Sequence, residues 1–105
     1  MFKDRNLNIF GTKYRIKFID KVSDTENFKF GLCNHIQKTI LVNTKDDKGN
    51  SLPPEEVKLT LLHEVIHAIL GEGQYLHSNE DEPLVEWLAR NINSLTKQNL
   101  LCWKI

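Results

Sequence analysis

Five residues near the middle of the chain, His63-Glu64-Val65-Ile66-His67, restrict what it can fold into more than any other feature. They form the pattern H-E-x-x-H. At about 100° per residue, a helix brings residues i and i+4 onto one face a single turn apart, so both imidazoles can approach one ion. Zinc accepts such nitrogen ligands readily. Glu64 lies beside that face rather than on it, which puts a carboxylate where it can take a proton from a water at the metal instead of ligating the metal. The spacing therefore demands a helix, and the flanking residues supply one. Val57, Leu61, Leu62, Val65, Ile66 and Ile69 recur at helical spacing, Pro53, Pro54, Glu55 and Glu56 suit a first turn, and Gly71 and Gly73 suit a stop. Two neighbouring imidazoles buried in so apolar a helix would cost free energy that metal coordination removes.

The rest of the composition narrows the setting. With 105 residues, 40% of them hydrophobic, the chain can build one modest core, so residues 1–105 are expected to form a single domain. Fourteen Lys and Arg balance fourteen Asp and Glu. No net positive field is left to hold a phosphate backbone, and nucleic acid is not an expected partner. The polar start Met1-Phe2-Lys3-Asp4-Arg5-Asn6 has no apolar run behind it, and nothing in the chain approaches the roughly 18 apolar residues of a membrane span. A cytoplasmic protein with no membrane association is therefore expected. Cys33 and Cys102 are far apart and outside any C-x-x-C spacing, so each reads as a small apolar filler rather than part of a disulfide framework or a cysteine zinc site.

Taken in order, Lys13 to Val22 alternates, with Tyr14, Ile16 and Phe18 on one side and Lys13, Arg15 and Lys17 on the other, which predicts a half-buried strand. Asp24, Thr25, Glu26 and Asn27 suit a turn, and Phe28 to His35 reads as a second strand broken by Gly31. Asn34, His35, Ile36 and Gln37 turn the chain toward a third, Lys38 to Asn43, with its strongly strand-forming Thr39-Ile40-Leu41-Val42. The polar loop Asp46 to Asn50 leads to the motif helix, and a loop from Gln74 to Asn79 leads out of it. A last helix is expected to begin near Asp81 or Glu82 with Pro83 in its first turn, and Leu84, Val85, Leu88, Ile92 and Leu95 give it an apolar stripe. Trp87, Leu100, Leu101, Trp103 and Ile105 would pack or cover an edge. The expected fold class is α+β, with about three antiparallel strands packed against the motif helix and a C-terminal helix. Because Lys38 to Asn43 precedes the motif helix by only one loop, it is expected to border the metal cleft as an edge strand that can pair with an extended peptide.

Two histidines hold zinc weakly, and a catalytic site usually adds a third protein ligand and leaves the fourth position to water. His77, Glu80, Asp81, Glu82 and Glu86 are the downstream candidates. The metzincin pattern H-E-x-x-H-x-x-G-x-x-H needs His at position 73, where this chain has Gly73. What remains, His63-Glu64-Val65-Ile66-His67-Ala68 followed by Glu82-x-x-Val85-Glu86-x-Leu88-Ala89, resembles the gluzincin arrangement and, more narrowly, the small metallopeptidase domains of phages and mobile elements, whose relatives cleave transcriptional repressors. The resemblance covers residues 57 to 95 or so, about half the chain. It implies a zincin-like fold and a peptidase holding one zinc per chain, with a protein or peptide substrate. By the same resemblance His63, His67 and Glu82 are metal ligands, Glu64 is the general base, and Glu86 supports a ligating histidine or is itself the alternative ligand.

Pro83 directly follows the proposed ligand and disfavours helical geometry at Glu82, which would set that side chain off from where a continuous helix aims it. Tyr75 and His77, in the loop between the two helices, are candidate donors to a developing oxyanion, ahead of His35. The competing expectations are a zinc-binding interaction module without peptidase activity and a domain whose histidines merely fill its core.

Overall fold

The structure is a computed structural model that describes residues 2–20 and 29–98. Four strands form its sheet: β1 (Arg5–Ile9), β2 (Thr12–Ile19), β3 (Gly31–Asn34) and β4 (Thr39–Asn43), in the spatial order β1-β2-β4-β3. The fold is α+β, but the sheet has four strands rather than three and is mixed rather than antiparallel. β1 is the unexpected strand. It pairs antiparallel with β2 from Arg5 opposite Ile16 to Ile9 opposite Thr12. Between them Phe10 and Gly11 both take positive φ, 52° and 83°, as a two-residue hairpin turn with the right-handed twist of the strands requires.

β3 and β4 form a second antiparallel hairpin, and β4 then lies parallel to β2, with Arg15 opposite Thr39 and Ile19 opposite Asn43. β4 fills the place between β2 and β3, so the strands adjacent in sequence, β2 and β3, are not neighbours in space. This overturns the expectation that Lys38 to Asn43 is an edge. β4 is interior, between β2 and β3, with Ile40, Val42 and Asn43 buried. The edge beside the helices is β3, which has no second partner strand among the described residues.

Three helices follow: α1 (Pro54–Glu72), α2 (Leu76–Glu80) and α3 (Glu82–Lys97). The segment expected as a loop from Gln74 to Asn79 is largely the short α2. Helix α1 carries two apolar stripes rather than one. Val57, Leu61, Val65 and Ala68 join Ile9, Tyr14, Ile16, Ile40 and Val42 in a core beneath the sheet. Leu59, Leu62 and Ile66 join Val85 and Ala89 in a second core against α3. Ile69 belongs to neither and is 41% exposed. The layers are thus sheet, α1, α3, and only one narrow face of α1, bearing Thr60, His63, Glu64, His67 and Gly71, is left for a cleft.

Gly71 and Gly73 do not act alike at the end of α1. Gly71 is inside the helix, and a side chain there would collide with the ring of His35, so its role is close approach. The helix ends one residue before Gly73, and the left-handed residue is Gln74, φ 61°. The last turn is anchored by Glu72, which accepts hydrogen bonds from Tyr14 Oη at 2.7 Å, Lys38 Nζ at 2.7 Å and Thr12 Oγ1 at 3.0 Å. Lys38 donates the largest share of the stabilisation that holds the Glu72 carboxyl at about 2. Burial first, and then the Glu72 charge, push the Tyr14 phenol above its usual value. This knot joins the end of α1 to β2 and to the β3–β4 turn, and so fixes the helix along the sheet.

No helix among the described residues is long and apolar enough to cross a membrane. The expected turn at Asp24 to Asn27, the ends of the predicted strands at Val22 and Phe28, and Leu100, Leu101, Cys102, Trp103 and Ile105 lie outside the described residues.

Candidate metal centre

The cleft face of α1 is defined by what its neighbours cover. Residue 63 leans toward α3 and residue 64 toward the sheet, with residue 67 between them, so one helix delivers its three polar side chains to different walls of one cleft of about 830 Å³. The start of α3 closes the cleft opposite. Pro83 does not displace the proposed third ligand: α3 begins at Glu82 itself, with Pro83 in the first turn, where its missing N–H is no loss, and Asp81 Oδ1 accepting from Leu84 N at 3.1 Å as the cap. Asp81 is thereby spent on the helix, and Glu80 is exposed at the end of α2.

Three side chains converge. His63 Nε2 stands 2.8 Å from Glu82 Oε2, His67 Nε2 stands 3.0 Å from Glu82 Oε1, and the two Nε2 atoms are 3.2 Å apart. Ligand atoms bonded to zinc at 2.0–2.1 Å in a tetrahedron lie about 3.3 Å from one another, so these separations suit a single ion. The His63, His67 and Glu82 donor atoms all fall within 4.8 Å of one another.

The other ring nitrogens decide the chemistry at this point. His63 Nδ1 is 3.0 Å from Glu86 Oε1, and His67 Nδ1 is 2.7 Å from Asn79 Oδ1. Carboxylate and amide oxygens only accept, so both Nδ1 atoms donate, and a neutral ring then has a bare lone pair on Nε2. Two lone pairs and a carboxylate face one another with no donor among them. Such a group of acceptors is satisfied only by a positive charge at its centre, either a metal ion or an added proton. The pKa of His63 expresses the same demand. Burial, the largest influence, lowers it, but the hydrogen bond to Glu86 and the charges of Glu64 and Glu82 outweigh burial and leave it above the usual histidine value. The residues present therefore fit a zinc ion on their own geometry.

Glu86 touches His63 and not the convergence point. Its other oxygen meets Arg90 Nη2 at 3.0 Å. Burial raises its pKa most, yet the His63 hydrogen bond and the Arg90 charge together bring it below the ordinary carboxylate value. An ionised Glu86 orients the ring and makes it a stronger electron donor. Asn79 plays the equivalent part for His67. Sequence reasoning missed it because α2 is too short to show a period, and an Asn in a presumed loop has many ordinary reasons to be there.

Glu64 is 8% exposed and no hydrogen-bond donor among the described residues reaches its carboxylate. Burial raises its pKa, against the opposing pull of His63 and His67. It is shielded by β3, and Gly31 permits this, because a Cβ there would lie 2.9 Å from Glu64 Cγ and 2.8 Å from Thr60 Cγ2. Of the three candidate oxyanion donors, His35 lines the cleft, while Tyr75, 65% exposed, and His77, also exposed, do not. Cys33 lines it too, and burial, followed by the charge of Glu64, raises its thiol to about 12. It stays protonated near neutral pH, and its side chain packs against the core. No protein-family model, no curated protein and no solved structure matches this chain.

Proposed function

We propose that the protein is a zinc-dependent peptidase of zincin type, holding one zinc through His63, His67 and Glu82 and using Glu64 as general base. The observation that carries the reading is the meeting of three accepting side chains without a donor, beside a buried carboxylate that nothing else employs. When bound, zinc would polarise a scissile carbonyl and lower the pKa of water to about 7. The remaining work belongs to the chain. Glu86 and Asn79 fix the two rings in the tautomer that offers Nε2. Glu64, destabilised as an anion by burial, is disposed to take a proton from water and to pass it on to a leaving amine. A purely structural zinc site would have no use for an unbonded carboxylate in that position.

The substrate is a peptide in extended form. In the β3–β4 pair, Asn43 N donates to Phe30 O at 2.8 Å, so by antiparallel alternation Phe30, Leu32 and Asn34 turn their backbone groups toward β4 while those of Gly31 and Cys33 face outward. A peptide added at this edge would gain main-chain hydrogen bonds along the cleft wall next to Glu64. Selection of this kind reads backbone shape and favours limited cleavage of a protein that presents a flexible loop, in keeping with a cytoplasmic enzyme acting on a regulatory protein of a phage or mobile element.

Metal analysis and the variant Glu64→Gln test the reading together. Protein purified without chelator, or titrated near neutral pH, should carry one zinc per chain. The variant should keep the metal and lose turnover, because an amide cannot accept the proton. Protein that takes up no zinc would refute the site, and a fully active variant would remove Glu64 from the chemistry. Zinc uptake without cleavage of any protein or peptide would leave a binding module.

A further inference from the structure

The three most exposed large apolar or aromatic side chains among the described residues are Ile36, 94% exposed, Phe10, 82%, and Tyr75, 65%. They share one end of the molecule. β2 and β4 run parallel with Arg15 opposite Thr39, which sets position 36 level with Thr12, so the turns that enter these two strands lie side by side. Phe10 is in the first turn and Ile36 in the second, about 10 Å apart across two strand spacings. Glu72 ties the last turn of α1 to Thr12, Tyr14 and Lys38, and Tyr75 follows it by three residues.

The fold does not ask for these side chains. Phe10 takes φ 52°, a left-handed position that Asn or Gly fills without strain and a bulky aromatic does not. Its ring gains no burial in return. The turn bearing Ile36 is built by Asn34, whose Oδ1 accepts from Ile36 N at 3.0 Å and from Gln37 N at 2.9 Å, and it needs no apolar group either. An aromatic held against its backbone preference and left bare points to contact with something outside the chain.

Charge selects the occupant. The neutral total divides unevenly: up to residue 52 the described residues include nine Lys and Arg against four Asp and Glu, while residues 53–98 include three against eight. Lys13, Arg15 and Lys17 form a row along β2 on the face turned away from α1, since Tyr14 and Ile16 between them are buried in the core. Asn8, Asn6, Thr39 and Leu41 stand opposite them across the strands, and none of the three has an acidic partner among the described residues. Glu72, the acid that touches both turns, is already answered by Lys38. Separate apolar tips do not make the continuous surface of about 800 Å² that a stable protein partner needs. They suit a bilayer interface, which receives each apolar group independently and draws basic residues to anionic headgroups.

We propose that this end of the sheet docks on the surface of an anionic membrane, with Phe10 and Ile36 entering the headgroup boundary, Tyr75 lying at its level, and Lys13 and Arg15 meeting lipid phosphates. Contact of this kind needs no spanning helix. The expectation of no membrane association rested on the lack of a span, and net charge concealed the basic face. Docking leaves the proposed metal ligands untouched and does not depend on the zinc reading.

The test is co-sedimentation with vesicles of equal parts phosphatidylcholine and phosphatidylserine, set against vesicles of phosphatidylcholine alone. The parent should bind the anionic vesicles more tightly, and less so as salt is raised. Phe10→Asn places at the turn a residue that accepts its left-handed φ, so the melting temperature should hold or rise while partitioning falls by about tenfold or more. Ile36→Ser should lower partitioning in the same direction, with an unchanged melting curve. Lys13→Gln and Arg15→Gln should each weaken binding to the anionic vesicles by about fivefold and leave binding to phosphatidylcholine alone unchanged. Parent protein that stays in solution with the anionic vesicles would overturn the proposal, and so would a folded Phe10→Asn that binds them as tightly as the parent. Self-association of the parent that Phe10→Asn abolishes, without vesicle binding, would overturn it in favour of a second copy of this chain.

Discussion

Replacing Gly31 by Ala tests whether the wall of the cleft and the proposed base are one device. The backbone of Gly31 is not left-handed, so nothing in φ opposes the change. The contacts oppose it. A Cβ there would stand 2.8 Å from Thr60 Cγ2, 2.9 Å from Glu64 Cγ and 3.1 Å from Glu64 Oε2. Carbon atoms pack best at about 3.5–4.0 Å, so either β3 must lift from α1 or the two side chains must shift by roughly 0.7 Å. Forcing one methyl group into such a contact costs about 1–3 kcal/mol. For a domain of this size, that lowers Tm by on the order of 5–15 °C.

The displaced group is the one assigned to carry the proton, and a misplacement near 1 Å can cost about a hundredfold in rate. Gly31→Ala is therefore expected to reduce kcat by about ten- to a hundredfold on any substrate the parent cleaves. The atoms nearest the new methyl group belong to Thr60 and Glu64 and not to His63, His67 or Glu82, so zinc affinity should stay near that of the parent. Steady-state kinetics, chelator competition and a melting curve on one preparation make the comparison. A variant with parental kcat and Tm would refute the close approach, and one that lost zinc before activity would refute the division of the cleft into a base side and a ligand side.

Other outcomes follow from the same geometry. Glu82→Gln should weaken zinc retention more than Glu86→Gln, for which about ten- to a hundredfold is expected of a group behind a ligand, and the reverse ranking in chelator competition would make Glu86 the third ligand. Because the folded-state pKa of His63 is raised, its proton stabilises the metal-free protein below the ordinary value of about 6.5 and this contribution is lost as pH rises through the folded value. Zinc competes with that proton, so as pH is lowered the affinity should begin to drop while the pH is still above 6.5. Glu72 has the opposite sign, being depressed to about 2. Its contribution is present above the usual carboxylate value of about 4.5 and is lost as pH falls toward 2, so acid unfolding of the parent and of Glu72→Gln should converge across that window. Tyr14→Phe removes one donor to the same carboxylate from a fully buried site and should cost about 1.5 kcal/mol in a denaturant melt.

The sequence made α1 legible because H-E-x-x-H and an apolar period occupy the same residues, whereas Glu82 and Glu86 were singled out from the five downstream candidates by helix spacing together with the resemblance to the gluzincin pattern. It gave less on the sheet. Alternation in Tyr14, Ile16 and Phe18 marks a strand but carries no information about its neighbour, and the pairing seen is one that lines Tyr14, Ile16, Ile40 and Val42 up on one face against α1. Nor does the apolar run from Thr39 to Val42 place its strand in the sheet, since β2 alternates and is interior too. β1 was overlooked because Arg5, Asn6 and Asn8 outweigh Leu7 and Ile9, although the Gly11 turn before a clear strand pointed to a hairpin.

The residues that complete the site were the least visible, for a physical reason. The proposed ligands are of the few residue types that hold a metal, and two of them share one helix at a fixed spacing, whereas a group that orients a ligand needs only an acceptor at the right point in space. Asn79 reaches His67 across 12 positions of chain from a five-residue helix. Gly31 and Gly71 contribute by having no side chain where another group must pass. Read along the chain, Gly31 interrupts a strand and Gly71 ends a helix. In the fold, each is the position at which the edge hairpin is allowed to touch α1, one at Glu64 and the other at the ring behind His67. Helix α1 thus brings two of the three proposed ligands, while the surroundings of Glu64 and of the end of α1 are set by how closely β3 and its turn can approach.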